Sequence, residues 1–81
     1  MNQKTRLVIV EDDPLIAFDI KESINTSKFE VCGVFHEAEQ FIKSDLAEFD
    51  LALLDVNLNG EMDGIELAEF LQKNHQKPCL F

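Results

Sequence analysis

Short apolar runs alternate with amphipathic stretches along the whole chain, and this alternation restricts the possible folds more than any other feature. Uninterrupted apolar runs cover residues 7–10 and 51–54, a β-branched and aromatic segment covers 29–35, and another apolar run opens at 79–81. Short runs of this kind are typical of strands, and the intervening stretches carry apolar residues at helical spacing. The predicted order is therefore β-α-β-α-β-α-β.

Three stretches show helical periodicity. Asp13 followed by Pro14 predicts the start of the first helix, as an N-cap acid with proline at the first helical position. Its apolar face is predicted to contain Ile16, Ala17, Ile20 and Ile24. The second helix is predicted from Ala38, Phe41, Ile42, Leu46 and Phe49, with Asp45 interrupting the stripe. The third is predicted from Ile65, Ala68 and Leu71, with Asp63 as its cap.

Strands that alternate with helices predict a parallel sheet with right-handed crossovers, and 81 residues make one domain at most. Such a sheet needs helices on both faces. Because three helices cover four strands, one face is expected to be poorly covered, and the last strand is expected to be an open edge. Self-association through the uncovered sheet is a prediction of this arrangement.

Acidic residues follow two of the predicted strands. Glu11, Asp12 and Asp13 come after the first strand, and Asp55 comes after the third. Ligands of open parallel sheets bind beyond the carboxyl ends of the strands, so neighbouring strands would bring these carboxylates together. Clustered carboxylates repel one another and need a cation or a raised pKa. Hard oxygen ligands of this kind suit Mg²⁺.

The stretch "DVNLNGEMDGIE", residues 55–66, also satisfies the spacing of a calcium-binding EF-hand loop. In that alternative, Asp55 is the first ligand and Glu66 the last. An EF-hand requires a helix that runs into the loop, whereas "DLALLD" contains a continuous apolar run. The calcium interpretation also leaves "LVIVEDDP" unexplained, so it is the weaker of the two.

Taken together, "LVIVEDDP", "LALLDVNL" and "MDGIELA" resemble the receiver domain of two-component response regulators. The resemblance covers residues 1–81 and only the first part of such a domain. It implies a flavodoxin-like, doubly wound sheet, incomplete, with strand order 2-1-3-4. It further implies that Asp55 accepts a phosphoryl group. Mg²⁺ would be held by Asp12, Asp55 and the backbone carbonyl of Asn57, with Glu11 acting through water.

The same resemblance implies the partners, namely a sensor histidine kinase or a phosphotransfer protein that donates the phosphoryl group. The sequence departs from the family in the loop after Asp55, which lacks a common proline and looks slightly longer. No residue can be assigned to the Ser/Thr and Lys roles that the family places after its fourth and fifth strands. As it stands, the fragment is expected to bind Mg²⁺ weakly and not to signal. A pseudo-receiver that acts only by protein contacts is the alternative function.

Charge and cysteine usage exclude several other classes. Sixteen acidic residues against seven basic ones give a net charge of −9, which argues against direct contact with nucleic acid or an anionic membrane. Cys32 and Cys79 lie in apolar runs without metal-binding spacing, so both are expected to be buried, reduced thiols. A reducing compartment and a short first apolar run predict a cytoplasmic protein. His36 and His75 are expected to have surface roles.

Overall fold

The computed structural model describes residues 4–26, 28–44, 48–58, 60 and 62–81. Its elements follow the predicted order: β1 (Thr5–Val10), α1 (Pro14–Ile24), β2 (Phe29–Phe35), α2 (Ala38–Lys43), β3 (Leu51–Leu54), α3 (Gly64–Asn74) and β4 (Cys79–Leu80). The second helix is shorter than predicted, because it ends at Lys43 and Phe49 lies outside it. Asp45 and Leu46, which were assigned to that helix, lie outside the described residues.

The four strands form one sheet in the order β2-β1-β3-β4, and every neighbouring pair is parallel. This confirms the predicted α/β fold with strand order 2-1-3-4. Val10 lies opposite Phe35 on one side and Leu54 on the other. The carboxyl ends of the three strands therefore lie side by side at one edge of the sheet.

A β-bulge interrupts the pairing of β1 with β2. Leu7 pairs with Val31 and Val8 pairs with Gly33, so Cys32 is the extra residue. Cys32 is exposed and its thiol contacts the Leu7 carbonyl at 3.4 Å, while Cys79 is half-buried. The prediction that both cysteines are buried is wrong, since a bulge and an edge strand each hold one of them. Both are free thiols.

The larger part of the core lies between the sheet and the helices α2 and α3. The members of this cluster are Val8, Val10, Ala38, Phe41, Phe49, Ala52, Leu54, Leu58, Leu67 and Leu71. Alternate residues of β1 and β3 point into it, because side chains of a strand alternate between the two faces of a sheet. Phe49 is 1% exposed and stacks edge-on against Phe41 at a ring-centroid distance of 5.4 Å.

The opposite face of the sheet is covered only by α1 among the described residues. Leu7 and Ile9 point to this side, and an open hollow lined by Ile9, Ile20, Leu53 and Leu80 extends beyond the helix. The predicted poor coverage of one face is therefore present. This poor coverage also limits how much of α1 is buried. Ala17 is buried, whereas Ile16, which was predicted on the apolar face, is 47% exposed.

Both predicted N-caps are confirmed. The Asp13 carboxylate accepts a hydrogen bond from the Leu15 amide, and Asp63 forms a reciprocal capping box with Glu66. The predicted buried face of α3 is confirmed for Leu71, and Ala68 packs against the core. It is wrong for Ile65, which is 50% exposed, while Leu67, which was not predicted, is buried. None of the helices within the described ranges is long and apolar enough to cross a bilayer.

Candidate functional site

The candidate site forms where β1 and β3 end beside each other. The Asp55 amide donates to the Val10 carbonyl at 2.9 Å, which extends the pairing of the two strands by one residue. On the other side, the Glu11 amide donates to the Phe35 carbonyl at 2.9 Å. Glu11 and Asp55 are therefore held by the backbone of the sheet as neighbours at its carboxyl edge.

Three carboxyl groups converge at this edge. Glu11, Asp12 and Asp55 each place a carboxylate oxygen within 4.8 Å of the others, although Asp55 is more than forty residues away along the chain. All three residues are half-buried. The expectation that the acids after β1 and β3 lie side by side is borne out for these three, whereas Asp13 is exposed and caps α1.

The crowding of these acids changes their protonation. Partial burial raises the pKa of Glu11 from 4.5 to about 7, with hydrogen bonds to the Asp12 and Asp55 carboxyl groups adding to the rise. A hydrogen bond from the Asp13 amide to the Glu11 carboxylate, 3.1 Å long, opposes it. The hydrogen bond shared with Glu11 lowers the pKa of Asp12. Near neutral pH, the cluster therefore tends to keep one proton when no cation is present to balance its negative charge.

This donor set fits a divalent cation. Carboxylate oxygens are the ligands that Mg²⁺ prefers, and a magnesium site in a protein commonly uses only one or two carboxylates together with water and phosphate oxygens. Once a cation displaces the proton held by Glu11, the three converging carboxyl groups supply the required negative charge. Asn57, which was also predicted to contribute through its carbonyl, lies two residues beyond Asp55 and is exposed; its role as a ligand stays a prediction.

The loop after Asp55 is anchored at both ends. The Asn57 amide donates to Asp55 Oδ1 at 3.1 Å, and the Gly64 amide donates to the Val56 carbonyl at 3.1 Å. A side chain at Gly64 would overlap the backbone carbonyl of Asp55. The start of α3 therefore lies directly against the end of β3, and only glycine permits this approach.

This arrangement excludes an EF-hand. The chain enters the loop from strand β3 (Leu51–Leu54), where an EF-hand requires a helix. Glu66, which would be the last calcium ligand, instead accepts a hydrogen bond from the Asp63 amide in the capping box. The match to the calcium pattern reflects small polar loop residues before a capped helix.

Two residues near the site were not identified as such from the sequence. His36 is half-buried and its Nδ1 donates to the Glu11 carbonyl at 2.9 Å, so its expected surface role is wrong. Glu39 accepts a hydrogen bond from the Met62 amide in the loop after Asp55. Neither contact has a signal in the sequence, because each joins segments that are more than twenty residues apart and lie on different elements.

Comparison with known families agrees with this geometry. The family profile "Response regulator receiver domain" matches residues 7–81. The chain belongs to the response regulator receiver domain family. As a receiver domain it is a signalling domain of the two-component type, and its sheet order is that of the receiver fold.

Relatives with assigned names support the same family. The receiver domain is 37% identical over 73 residues to the transcriptional regulatory protein ComA of Bacillus subtilis, covering 85% of this chain and 34% of ComA. It is 32% identical over 76 residues to the transcriptional activator protein IrlR of Burkholderia pseudomallei, covering 94% of this chain and 33% of IrlR. The chain thus spans about a third of the length of these relatives.

Solved structures agree as well. The signal receiver domain of a modulated diguanylate cyclase from Desulfovibrio desulfuricans superposes with a TM-score of 0.84 at 33% identity, covering 95% of this chain and 62% of that one. The anti-anti-sigma factor PhyR from Bartonella quintana superposes with a TM-score of 0.81 at 26% identity, covering 100% of this chain and 34% of that one.

Proposed function

We propose that this receiver domain accepts a phosphoryl group on Asp55 in a magnesium-dependent reaction. Glu11, Asp12 and Asp55 would hold the cation, together with the backbone carbonyl of Asn57. The observation that carries the proposal is the convergence of the three carboxyl groups within 4.8 Å at the carboxyl edge of the sheet. Clustered acids with a raised pKa in such a position are typical of functional sites.

The hydrogen bond from Asn57 to Asp55 orients the acceptor. Because the Asn57 amide occupies Oδ1, Oδ2 is the oxygen that attacks phosphorus. A new oxygen–phosphorus bond forms as the bond from phosphorus to the donor breaks, and the leaving group takes the bonding electrons. Mg²⁺, when bound, would neutralise the carboxylates and the phosphoryl oxygens. The product stays attached to the protein, so the domain assists its own modification and is not an enzyme acting on a separate substrate.

The proposed donor is a phosphohistidine on a sensor histidine kinase or a phosphotransfer protein. Direct nucleic-acid or membrane contact is not part of the proposal, because the net charge of −9 would repel both polyanions. The proposed location is the cytoplasm, where the free thiols of Cys32 and Cys79 would remain reduced.

The experiment that tests this function is incubation with acetyl phosphate and MgCl₂, followed by intact mass spectrometry. The wild-type protein is expected to gain the mass of one phosphoryl group, and Asp55→Asn is expected to gain none. Asp19→Asn, which removes an exposed carboxylate on α1, serves as the matched control and should behave as wild type. No gain in the wild-type protein, or an equal gain in Asp55→Asn, would favour a pseudo-receiver that acts by protein contacts.

The proposal includes self-association through the poorly covered face of the sheet. Leu80 and Phe81 at this face are 54% and 66% exposed, and apolar patches of this kind mark contact surfaces. Sedimentation velocity is expected to show a larger species as protein concentration rises. Leu80→Glu should shift the protein towards the monomer, while a wild-type protein that stays monomeric at every concentration would contradict the prediction.

A further inference from the structure

The loop that follows Asp55 has a contact at its centre that the proposed phosphoryl chemistry does not use. Its two ends are held by backbone amides, from Asn57 to Asp55 Oδ1 and from Gly64 to the Val56 carbonyl. Between these ends, a side chain from α2 reaches the loop. Glu39 Oε2 accepts a hydrogen bond from the Met62 amide at 3.0 Å.

The Glu39 carboxylate also lies against Gly60. A Cβ atom built on Gly60 would be 2.8 Å from Glu39 Oε1, so the glycine leaves room for the carboxylate. Gly60 has a φ of 105°, a region that residues with a side chain rarely adopt. The backbone conformation and the missing side chain at this position both suit the approach of Glu39.

Both partners of this contact rest on the core. Ala38 and Phe41, on either side of Glu39 in α2, are 0% and 3% exposed. Met62 packs against the same core cluster from the loop. Glu39 is half-buried. A carboxylate hydrogen bond in such surroundings is stronger than one in open solvent, so it can hold the loop in one position.

We propose that Glu39 is a positioning residue of the receiver site: it holds Gly60 and Met62 in the loop after Asp55 and thereby orients Asn57 and Asp55. This inference rests on the proposed function, because it assigns Glu39 to the acceptance of the phosphoryl group on Asp55. Among the described residues, no direct hydrogen bond from Glu39 to Asp55 is seen. Glu39 acts through the loop, whose first turn places the Asn57 amide on Asp55 Oδ1.

The test compares Glu39→Ala, Glu39→Gln and the control Glu69→Ala, which removes an exposed glutamate from α3. Phosphorylation by acetyl phosphate with MgCl₂ is followed over time by intact mass. Glu39→Ala is expected to slow phosphorylation about tenfold, the range found for residues that support a metal-site ligand. Glu39→Gln keeps an oxygen acceptor for the Met62 amide, so it should recover most of the rate. Glu69→Ala should match wild type.

A second measurement tests the contact of Glu39 with Gly60 and Met62 without any phosphorylation. In ¹H–¹⁵N spectra, Glu39→Ala is expected to shift the amide signals of Asn57, Gly60 and Met62 and to speed hydrogen exchange at Met62. Glu39→Gln should leave these signals near their wild-type positions. These spectra are recorded on the protein free of phosphodonor, so they test this contact even if Asp55 is not phosphorylated in any variant.

The possible outcomes distinguish the proposed phosphorylation of Asp55 from the positioning role of Glu39. If the wild-type protein is not phosphorylated, the proposed function fails, and the amide signals alone decide whether Glu39 holds the loop. If the wild-type protein is phosphorylated and Glu39→Ala reacts at the same rate, the positioning role is overturned. Unshifted signals of Asn57 and Met62 in Glu39→Ala would overturn it as well. If Glu39→Ala does not fold, Glu39→Gln takes its place in the comparison. The phosphorylation rate of Glu39→Gln must then lie within about threefold of the wild-type rate, and a slower rate would overturn the proposal.

Discussion

Gly64→Ala is expected to destabilise the protein by about 3 kcal/mol or more and to impair the phosphorylation of Asp55. The added methyl group would overlap the Asp55 carbonyl and lie 2.9 Å from the Val56 Cα atom. These are backbone atoms of the strand end, so they cannot rotate away as a flexible side chain could. Either α3 moves away from the sheet or the end of β3 moves, and the second movement displaces the proposed phosphoacceptor.

Urea unfolding followed by far-ultraviolet circular dichroism measures this effect, since the chain has no tryptophan or tyrosine to report unfolding by fluorescence. Ile65→Ala is the matched control, because it changes the next residue of the same helix turn and Ile65 is 50% exposed. Its effect should be below about 1 kcal/mol, as expected for a partly exposed side chain. If Gly64→Ala unfolds at the same urea concentration as wild type, α3 can move away from Asp55 without loss of stability, and the prediction is wrong.

The positions of the strands could be predicted because they are short apolar runs, and their parallel direction followed from their alternation with helices. For β2 the predicted residues 29–35 match the observed bounds. The convergence of the acids followed from the fold, because adjacent parallel strands end at the same edge. What brings Asp55 beside Glu11 is the pairing of Val10 with Leu54, and the resemblance to the receiver family supplied that strand order.

The helix faces and the supporting residues could not be predicted in the same way. In α3 the inward face contains Gly64, which has no side chain and therefore adds nothing to a hydrophobic pattern. In α1 the isoleucine spacing identifies a face, but how far each residue is buried depends on what covers it. The contacts of His36 with Glu11 and of Glu39 with Met62 arise from packing between distant segments, which no local pattern in one sequence encodes.

Glu11→Gln is expected to have opposite effects on stability and on metal binding. The pKa of Glu11 is about 7 in the folded protein against an ordinary 4.5, so the folded state holds this proton more tightly than the unfolded state. Stability of the ion-free protein therefore falls as the pH rises from about 4.5 to about 7, and the loss is complete above that range. Glutamine carries no charge at any of these pH values, so the variant should not show this loss.

At pH 8 without a divalent cation, Glu11→Gln should be more stable than wild type by about 1 kcal/mol, a figure reduced for solvent screening of this half-buried site. At pH 5, where wild-type Glu11 is mostly protonated, the two proteins should differ little. Chemical unfolding at both pH values measures the difference, and a wild-type stability that does not change between them would contradict the raised pKa.

The same substitution is expected to weaken Mg²⁺ binding about ten- to a hundredfold, as found when a group that supports metal ligands through water is removed. Isothermal titration calorimetry with MgCl₂ at pH 8 measures the affinity. Adding Mg²⁺ should then stabilise wild type more than the variant, because binding stabilises a fold in proportion to the logarithm of ligand concentration over Kd. Asp19→Asn removes an exposed carboxylate of α1 that is not a member of the cluster, so it should leave both the affinity and the pH dependence unchanged. Equal Mg²⁺ affinity in wild type and Glu11→Gln would show that Glu11 does not contribute to the cation site. Asp12 and Asp55 would then be the carboxylates proposed to bind the cation.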